Sequence, residues 1–488
     1  MNIDISWYKN GISTFTLTTI EQLSGLSSIV SAKKGGVLPS DNFRGKTINL
    51  GGNIDMSTIG NNWLPIGTRE QPFEGTFDGK GCKLFGLSTN SHVECMGIFG
   101  ATSTFATIQN LTVDASFVEA KMIGGIVVVN AGNIQKCKFC GYIQGYSSCG
   151  GIAATSTGIL NQVANKGTII AKQKYCGGIV GVNQNDVGEI VNSYNFGKIM
   201  GIFHVGGIAG YNKGIEIKNC FNKGIVTVIE GYINAECIGG IVGYNAPGCP
   251  IKNCYNGADI TCGNMGGGIV GHNNGIIEVC ANSGNITGTS KIGGIVGLNS
   301  NGRMETDKNK GTVTGKSCIG GIVGENSTGT IKNCTNDSRG QISAENGQAG
   351  GIVGNSRWGR LESCDNNGVI RATDGDNVGG IVGEITFGAI NSCSNTGAVW
   401  GTKNVGGIVG ISTERSAIEN CSNHADVQAN TVVGGIGGYI YGDLKDSYNT
   451  CNVYGMPSEL DKVGLIVGQS VSGSVQYCWS SGKIIGIQ

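Results

Sequence analysis

This sequence of 488 residues is poor in charge, in histidine and in long apolar runs. Charged residues make up 14% of it, and 34 basic residues balance 34 acidic ones. Without net charge or a basic stripe, we expect no nucleic acid among its partners. No apolar run reaches the roughly 18 residues that a membrane helix needs, so we expect no direct membrane insertion by this chain.

Motifs for catalysis and metal binding are also missing. None of the four histidines stands in H-E-x-x-H, and neither G-x-S-x-G nor the P-loop pattern occurs. Cys137 and Cys140 form a C-x-x-C without a second pair at zinc-finger spacing. We therefore predict no catalytic residue, no metal site and no cofactor.

Targeting signals give little guidance about location. The segment from Met1 to Tyr8 is short and contains Asp4, so it does not resemble a signal peptide. Two alternatives stay open: an intracellular protein, or a fragment of a longer exported chain to which Met1 was added.

Glycine, by contrast, is abundant, with 87 residues against only six prolines. Most of it recurs in the string Gly-Gly-Ile-Val-Gly or a near copy, at intervals of 26 to 33 residues. A fixed period of this size is typical of a solenoid. The first glycines of the copies are Gly124, Gly150, Gly177, Gly206, Gly239, Gly267, Gly293, Gly320, Gly350, Gly379, Gly406, Gly434 and Gly464.

Each repeat contains three short β-branched runs separated by Gly and Asn, which predicts three strands joined by tight turns. Three apolar positions recur in every repeat and form columns, represented in the first repeat by Ile134, Ile143 and the Ile of the glycine string. We predict an all-β fold: a right-handed parallel β-helix of about 13–14 coils over residues 96–488, with one inward column per face.

Residues 1–95 do not follow the period, and we predict that they form an N-terminal capping segment. Within it, Ile20, Leu23, Leu26 and Ile29 have helical spacing. Thr18 or Thr19 is a suitable N-cap, so a short helix is expected near residues 19–32.

Asn and Cys each recur in a column of their own. The Asn column, which runs from Asn165 to Asn449, predicts an internal amide ladder that satisfies backbone groups at turns. Val and Ser replace Cys at the same position in some repeats, which favours a small buried side chain over an obligatory disulfide. We predict a ladder of buried, reduced thiols: Cys137, Cys220, Cys254, Cys280, Cys334, Cys364, Cys393, Cys421 and Cys478.

The repeated Gly-Gly-Ile-Val-Gly resembles the GLUG motif over about residues 96–488. The strings Phe43–Leu50, Trp63–Gly67 and Phe73–Gly79 are similar to the segment that often precedes such repeats. The resemblance implies a bacterial or archaeal surface β-helix, of the kind found in adhesin-like proteins and in the non-catalytic regions of IgA-peptidase-type proteins.

Two outward rows are candidates for ligand binding. Arg371, Trp400 and Tyr454 fall in one column, and flat rings flanked by an arginine suit a sugar. Tyr211, Tyr244 and His272 follow one another in a second column, which further along contains Glu325, Asn355 and Glu384. The two glutamates are expected about 10 Å apart, near the limit for an inverting glycosidase, and we interpret them as surface carboxylates.

We therefore hypothesise a non-catalytic cell-surface β-solenoid that serves as a rigid scaffold and binds a host or cell-surface glycan or protein. One alternative is a structural protein that self-associates end to end. The other is a carbohydrate-active β-helix enzyme, a lyase or a glycosidase.

Overall fold

The computed structural model describes residues 3–32, 36–184, 187–232, 234–413 and 415–487. The chain divides into two compact units, Met1–Glu230 with Ile241–Gly243, and Gly231–Gly240 with Tyr244–Gln488. In the described residues the helices are Ile20–Val30 and two 3₁₀ segments, Gly60–Asn62 and Pro457–Lys462. Nearly everything else with regular structure is β-strand.

One coil of the second unit illustrates the path of the chain. Val296–Ser300 lies on what we name the third face, and Arg303–Glu305 lies on the first face. Three short strands then form the second face: Lys308–Asn309, Val313–Gly315 and Ser317–Gly320. Each pairs in parallel with its counterpart in the next coil, for example Met304 with Ile331. The predicted parallel β-solenoid is therefore confirmed.

In the first unit, each face consists of strands stacked in parallel. The first face contains Thr14–Leu17, Thr47–Leu50, Thr76–Asp78, Thr107–Gln109, Asn133–Gln135, Ile159–Asn161, Glu189–Val191 and Glu216–Lys218. The second face contains Ile54–Asp55, Lys83–Asn90, Cys95–Met96, Thr112–Val118, Met122–Gly124, Lys138–Phe139, Tyr142–Gly150, Ala164–Asn165, Thr168–Gly177, Tyr194–Asn195, Ile199–Gly206, Phe221–Asn222 and Val226–Val228. The third face contains Phe99–Ala101, Val127–Asn130, Ala153–Ser156, Val180–Asn183 and Ala209–Asn212.

The second unit repeats this arrangement. Its first face contains Pro250–Lys252, Ile276–Glu278, Arg303–Glu305, Thr330–Lys332, Arg360–Glu362, Ala389–Asn391, Ala417–Glu419, Asp443–Lys445 and Val475–Gln476. Its third face contains Val270–Asn273, Val296–Ser300, Val323–Ser327, Val353–Arg357, Val382–Thr386, Val409–Ser412, Gly437–Ile440 and Val467–Ser470, while Val242–Asn245 has residues in both units.

The second face of the second unit is the most finely divided. Its strands are Glu236–Gly239, Tyr255–Asn256, Ile260–Thr261, Asn264–Gly267, Ala281–Asn282, Ile286–Thr287, Ser290–Gly293, Lys308–Asn309, Val313–Gly315, Ser317–Gly320, Thr335–Asn336, Ile342–Asn346, Ala349–Gly350, Asp365–Asn366, Ile370–Asp374, Asp376–Gly379, Ser394–Asn395, Val399–Trp400, Lys403–Gly406, Ser422–Asn423, Val427–Gln428, Val433–Gly434, Tyr448–Asn449, Val453–Gly455, Val463–Gly464, Trp479–Ser480 and Ile484–Gly486.

The predicted 13–14 coils describe the repeat region but not the whole winding. Three first-face strands, Thr14–Leu17, Thr47–Leu50 and Thr76–Asp78, lie before residue 95 and pair in register with one another. The N-terminal segment therefore already winds as part of the solenoid. The division of the chain at residue 95, drawn from the repeat pattern, stays a prediction.

The apolar columns form the core, and Ile134, Ile143 and Ile126 are all fully buried. The third column differs from expectation, since Ile126 and Ile295 lie at the bend between the second and third faces and not within a strand. In the last coil the column residues Val475 and Ile484 are exposed.

The paired glycines are required by the closeness of successive coils. A Cβ on Gly321 would lie 2.1 Å from the carbonyl oxygen of Gly351 and 2.6 Å from the side chain of Asn336. Real Cβ atoms do not approach other atoms so closely, so only glycine fits at this position.

The N-terminal helix forms where the sequence predicts it. The Thr19 hydroxyl accepts a hydrogen bond from the backbone N–H of Gln22, and the Gln22 side chain accepts one from Thr18. Leu23, Leu26 and Ile29 are fully buried, so the apolar stripe provides the helix with its packing.

The predicted asparagine ladder is confirmed. Asn336 donates from Nδ2 to Asn366 Oδ1 at 2.9 Å and to the Gly340 carbonyl at 2.7 Å. A second ladder occupies the end of the third face, where Asn273 donates to Asn299 and Asn299 donates to Asn326, each at 2.9 Å. Both ladders lie in the core and hold successive coils in register.

The cysteine column lies beside the first asparagine ladder. Eight of its nine members are buried, whereas Cys478 in the last coil is half-buried. No disulfide joins any of the nineteen cysteines. Burial raises the pKa of Cys137 to about 12. That these thiols are reduced in solution stays a prediction.

Candidate functional site

The second face of the second unit carries the predicted row of Arg371, Trp400 and Tyr454. Arg371 is the register partner of Trp400, Trp400 of Gln428, and Gln428 of Tyr454. The guanidinium carbon of Arg371 lies 4.3 Å from the centroid of the Trp400 ring, a cation–π contact. Because Arg371 covers one side of the indole, a ligand that stacks on that side must displace the guanidinium.

In the first unit, Tyr211 belongs to an aromatic cluster. Its ring centroid lies 5.7 Å from that of Tyr175, edge to face, and Tyr175 stacks on His204 at 5.4 Å. Tyr175 and Tyr211 line a surface cavity of about 550 Å³, together with Lys213. A cavity of this volume is large enough for a small ligand.

In the second unit, Tyr244 and His272 are in contact, with ring centroids 4.9 Å apart. The amide of Asn274 lies within hydrogen-bond distance of the Tyr244 hydroxyl and of His272 Nε2. Burial, and after it the charge of Lys291, lowers the pKa of His272, so the imidazole is neutral near pH 7.

Further along the third face, Glu325, Asn355 and Glu384 are register partners on three successive strands. Glu325 forms an ion pair with Lys291 at 3.2 Å. Glu384 Oε2 accepts hydrogen bonds from Gln348 Nε2 and Asn377 Nδ2, both at 3.0 Å. The two glutamates are thus separated by a whole coil, and each is held by its own partners.

Lys291 and Asn377 belong to a column that the sequence analysis did not identify. Its residues stand two positions before the first glycine of the string, adopt positive φ and lie beside the outward third-face row. Its members include Ser148, Tyr175, His204, Cys237, Met265, Lys291, Cys318, Asn377 and Asn404. Their residue types vary from coil to coil, so residue type does not reveal the column. Their fixed spacing from the glycines could have identified it.

Among the described residues, two hydroxyls lie beside a histidine nitrogen: Thr450 Oγ1 is 3.0 Å from His424 Nδ1, and Ser300 Oγ is 3.2 Å from His272 Nε2. Asn274 donates to the same nitrogen, and no carboxylate of the described residues bonds the other ring nitrogen. This geometry lacks the orienting acid of a triad. Among the described residues no group of three or more His, Cys, Asp or Glu side chains could hold a metal ion.

Comparison with known proteins bears on the repeat. The family model of the GLUG motif matches residues 315–339. This chain carries the GLUG repeat. The resemblance inferred from the glycine strings is thereby confirmed, and the matched GLUG segment includes Gly320, Asn336 and Cys334.

Two further proteins are similar to this GLUG-repeat chain. Halomucin from Haloquadratum walsbyi is 27% identical over 179 residues, which cover 29% of this chain and only 2% of halomucin. A crystal structure provisionally named an immunoglobulin A1 protease, from Bacteroides ovatus, covers 74% of this chain and 84% of its own at 15% identity. The TM-score of the two structures is 0.29. No helix among the described residues has the length and apolarity to cross a membrane.

Proposed function

We propose that this chain is a non-catalytic surface repeat protein of the adhesin type, a rigid scaffold that binds a glycan or a protein on an outer face. The observation that carries the proposal is the contact of Arg371 with Trp400, in a row that continues to Tyr454. The neighbouring Val399 is fully buried, so the core is supplied by the alternate residue. The outward row has no packing role that would explain an arginine stacked on a tryptophan.

The GLUG repeat and the similarity to halomucin support a surface or structural role and an extracellular location. The separation of Glu325 from Glu384 by the strand of Asn355 supports a non-catalytic role for the third-face row, since retaining and inverting glycosidases both need two carboxyl groups converging on one bond.

Binding is tested with the variant Trp400→Ala. A glycan or protein ligand should bind at least about tenfold more weakly, because the variant loses the stacking surface. The circular dichroism spectrum and the melting temperature should stay close to those of the wild type, because Val399 keeps its place in the core. Arg371→Lys, which keeps the charge but not the planar stack, is the matched control. Unchanged binding by Trp400→Ala would move the site to Tyr211 or to Tyr244 and His272.

The non-catalytic part is tested separately, by incubating the protein with polysaccharides and measuring newly formed reducing ends. We expect none. Release by the wild type that disappears in Glu384→Gln would establish a carbohydrate-active enzyme instead.

A further inference from the structure

We propose that the third face of the second unit contains a binding site for a neutral oligosaccharide, formed by Trp358, Asn355 and Glu384. The inference rests on the proposed function in taking the outer surface as a binding surface. It differs in the face and in the residues, and it narrows the ligand to a neutral oligosaccharide. None of the three residues belongs to the row around Trp400.

The aromatic half of the site is a stacked pair at the corner that follows the third-face strands. The ring centroids of Trp358 and Phe387, on adjacent coils, are 4.6 Å apart with an interplanar angle of 22°. Trp358 is nevertheless 61% exposed. In the preceding coil, Thr328 occupies the corner position equivalent to that of Trp358. The backbone N–H of Thr328 donates to the Arg357 carbonyl in the same way as the backbone N–H of Trp358 donates to the Thr386 carbonyl. A small threonine leaves the second side of the indole open for a sugar ring.

The backbone at this corner gives a second reason to assign a role to the pair. Trp358 has a φ of 58° and Phe387 a φ of 55°. Bulky residues rarely adopt this left-handed conformation, which glycine and asparagine accept at low cost. Asn301 holds the equivalent corner two coils before Trp358. Two successive aromatic residues at a strained, exposed position are therefore better explained by a contact they make than by packing.

The polar half of the site lies on the strand that leads to Trp358. Asn355 is only 3% exposed, and its Oδ1 is buried without a hydrogen-bond partner among the described residues. A buried acceptor left unpaired is costly, and a hydroxyl that donates to it removes that cost without adding a charge. The side chain stands between those of Glu325 and Glu384, on the outer side of the strand.

Glu384 adds an acceptor that is already fixed in position. Both of its hydrogen bonds, from Gln348 and Asn377, go to Oε2. Oε1 receives none from the described part of the chain. Asn404 donates from Nδ2 to Asn377 Oδ1 at 2.8 Å and so holds that amide in turn. An acceptor whose orientation is fixed by such a network binds a hydroxyl without a further loss of side-chain entropy.

The spacing of the two halves suits linked sugar rings. Asn355 lies on the strand Val353–Arg357 and Trp358 follows at the corner directly after it, so the two are at most roughly 10 Å apart. One ring can stack on the indole while the next reaches the amide and the carboxylate. The exposed guanidinium of Arg357 lies between the two positions and can donate to a ring or hydroxyl oxygen.

The charges favour a neutral ligand. Lys291 pairs with Glu325, and the cationic Arg357 lies on the strand adjacent to that of Glu384. A uronate or a sialic acid would be repelled by the Glu384 carboxylate, because no surplus of cations surrounds it. A neutral sugar experiences no such repulsion. A nucleic acid is disfavoured for the same reason.

The experiment measures binding of the full chain to an array of neutral oligosaccharides, including maltotriose, cellotriose, mannotriose and N-acetylchitotriose. Trigalacturonate and sialyllactose serve as acidic probes. We expect a neutral probe to bind and the acidic ones not to bind. By isothermal titration with that probe, Trp358→Ala and Asn355→Ala should each weaken binding at least about tenfold. Trp358→Phe should retain part of the affinity, and Trp400→Ala should leave it unchanged.

Trp358→Gly separates binding from folding, because glycine accepts the left-handed backbone while removing the ring. Its melting temperature should not fall, yet its binding should be lost. The proposal is overturned if no neutral probe binds, if acidic probes bind better, or if Trp358→Ala and Asn355→Ala both bind like the wild type. Loss of binding in Trp400→Ala alone would overturn it while supporting the second-face site. Release of reducing ends from the bound probe would instead contradict the non-catalytic function.

Discussion

The backbone N–H of Cys280 donates a hydrogen bond to Oδ1 of Asp307 in the next coil, at 2.8 Å. Asp307 is 1% exposed and holds the position that cysteine occupies in neighbouring coils. The N–H of Cys364 is paired in the same way with Cys393 Sγ, at 3.4 Å. The column therefore supplies an acceptor to a buried N–H at the corner of the preceding coil. This need explains why aspartate and serine can replace cysteine there but an apolar residue rarely does.

Asp307 should make stability depend on pH. Burial raises its pKa well above the ordinary value, so the carboxyl stays protonated to a higher pH in the folded protein than in the unfolded chain. The contribution of Asp307 to the free energy of unfolding is fully present below pH about 4, where its carboxyl is protonated in the unfolded chain too. This contribution is lost as the pH rises towards the pKa of the folded state. We expect Asp307→Ser to be more stable than the wild type at pH 8 by at least about 1.4 kcal/mol, the equivalent of one pKa unit.

At pH 4 this gain should shrink or reverse. Thermal unfolding of both proteins at the two pH values measures the difference, and Asp374→Ser, at an exposed position, is the control. A gain of equal size at pH 4 and pH 8 would contradict a raised pKa for this buried carboxyl group.

The acceptor role of the cysteines predicts that serine replaces them better than alanine. Cys393→Ala leaves the N–H of Cys364 buried without an acceptor, which should cost about 1–3 kcal/mol, in addition to the small cavity. Cys393→Ser keeps an acceptor and should cost less. Urea unfolding under reducing conditions gives both values, and equal losses would show that Sγ only fills space.

The asparagine ladder should be sensitive at single rungs. Asn336 receives a hydrogen bond from Asn309 at 3.0 Å and donates to Asn366 and to Gly340. Asn336→Ala leaves several buried groups unpaired, at about 1–3 kcal/mol for each. Asn367→Ala, next to the ladder, removes only one bond at the surface, from Thr396, and should change stability by less than about 0.5 kcal/mol. Similar losses in both variants, measured by chemical unfolding, would argue against the ladder as a source of stability.

Two glycine-to-alanine variants test the packing of the coils. The Cβ of Gly321→Ala would overlap the carbonyl of Gly351, so this variant should lose more than about 3 kcal/mol or fail to fold. A Cβ at Gly52 meets nothing within 4 Å and needs no left-handed backbone. Gly52→Ala should therefore be neutral or gain about 0.4–1 kcal/mol. A well-folded Gly321→Ala protein with an unchanged melting temperature would refute the close approach of the coils.

Apart from the N-terminal helix, the elements that the sequence predicted are those that repeat from coil to coil. Columns such as Ile134 and Asn336 were identified because every coil faces the same packing problem, so the same residue type returns at the same position. The second ladder, with Asn273, Asn299 and Asn326, could also have been found, since the last residue of the string G-G-I-V-G-x-N marks it.

The candidate binding groups could not be read from the sequence in the same way. Trp358 and Phe387 adopt positive φ, a backbone conformation that an aromatic residue type does not predict. Their stacking depends on the registration of two corners 29 residues apart in the chain. Likewise, the Asn355 side-chain oxygen is unpaired because of its neighbours in the folded structure. The residue type alone suggests only another polar surface position.

The in-register pairing of identical positions has a consequence for how such a gene can change. Because Asn309, Asn336 and Asn366 present the same groups to the coil before and the coil after, removing or duplicating one whole period reconnects like with like. Recombination between misaligned copies then yields a chain with one coil fewer or more and every column intact. An insertion of one residue within a strand instead shifts inward side chains outward. The number of coils can thus change in steps of one without disturbing the core, whereas a change within a strand disturbs it.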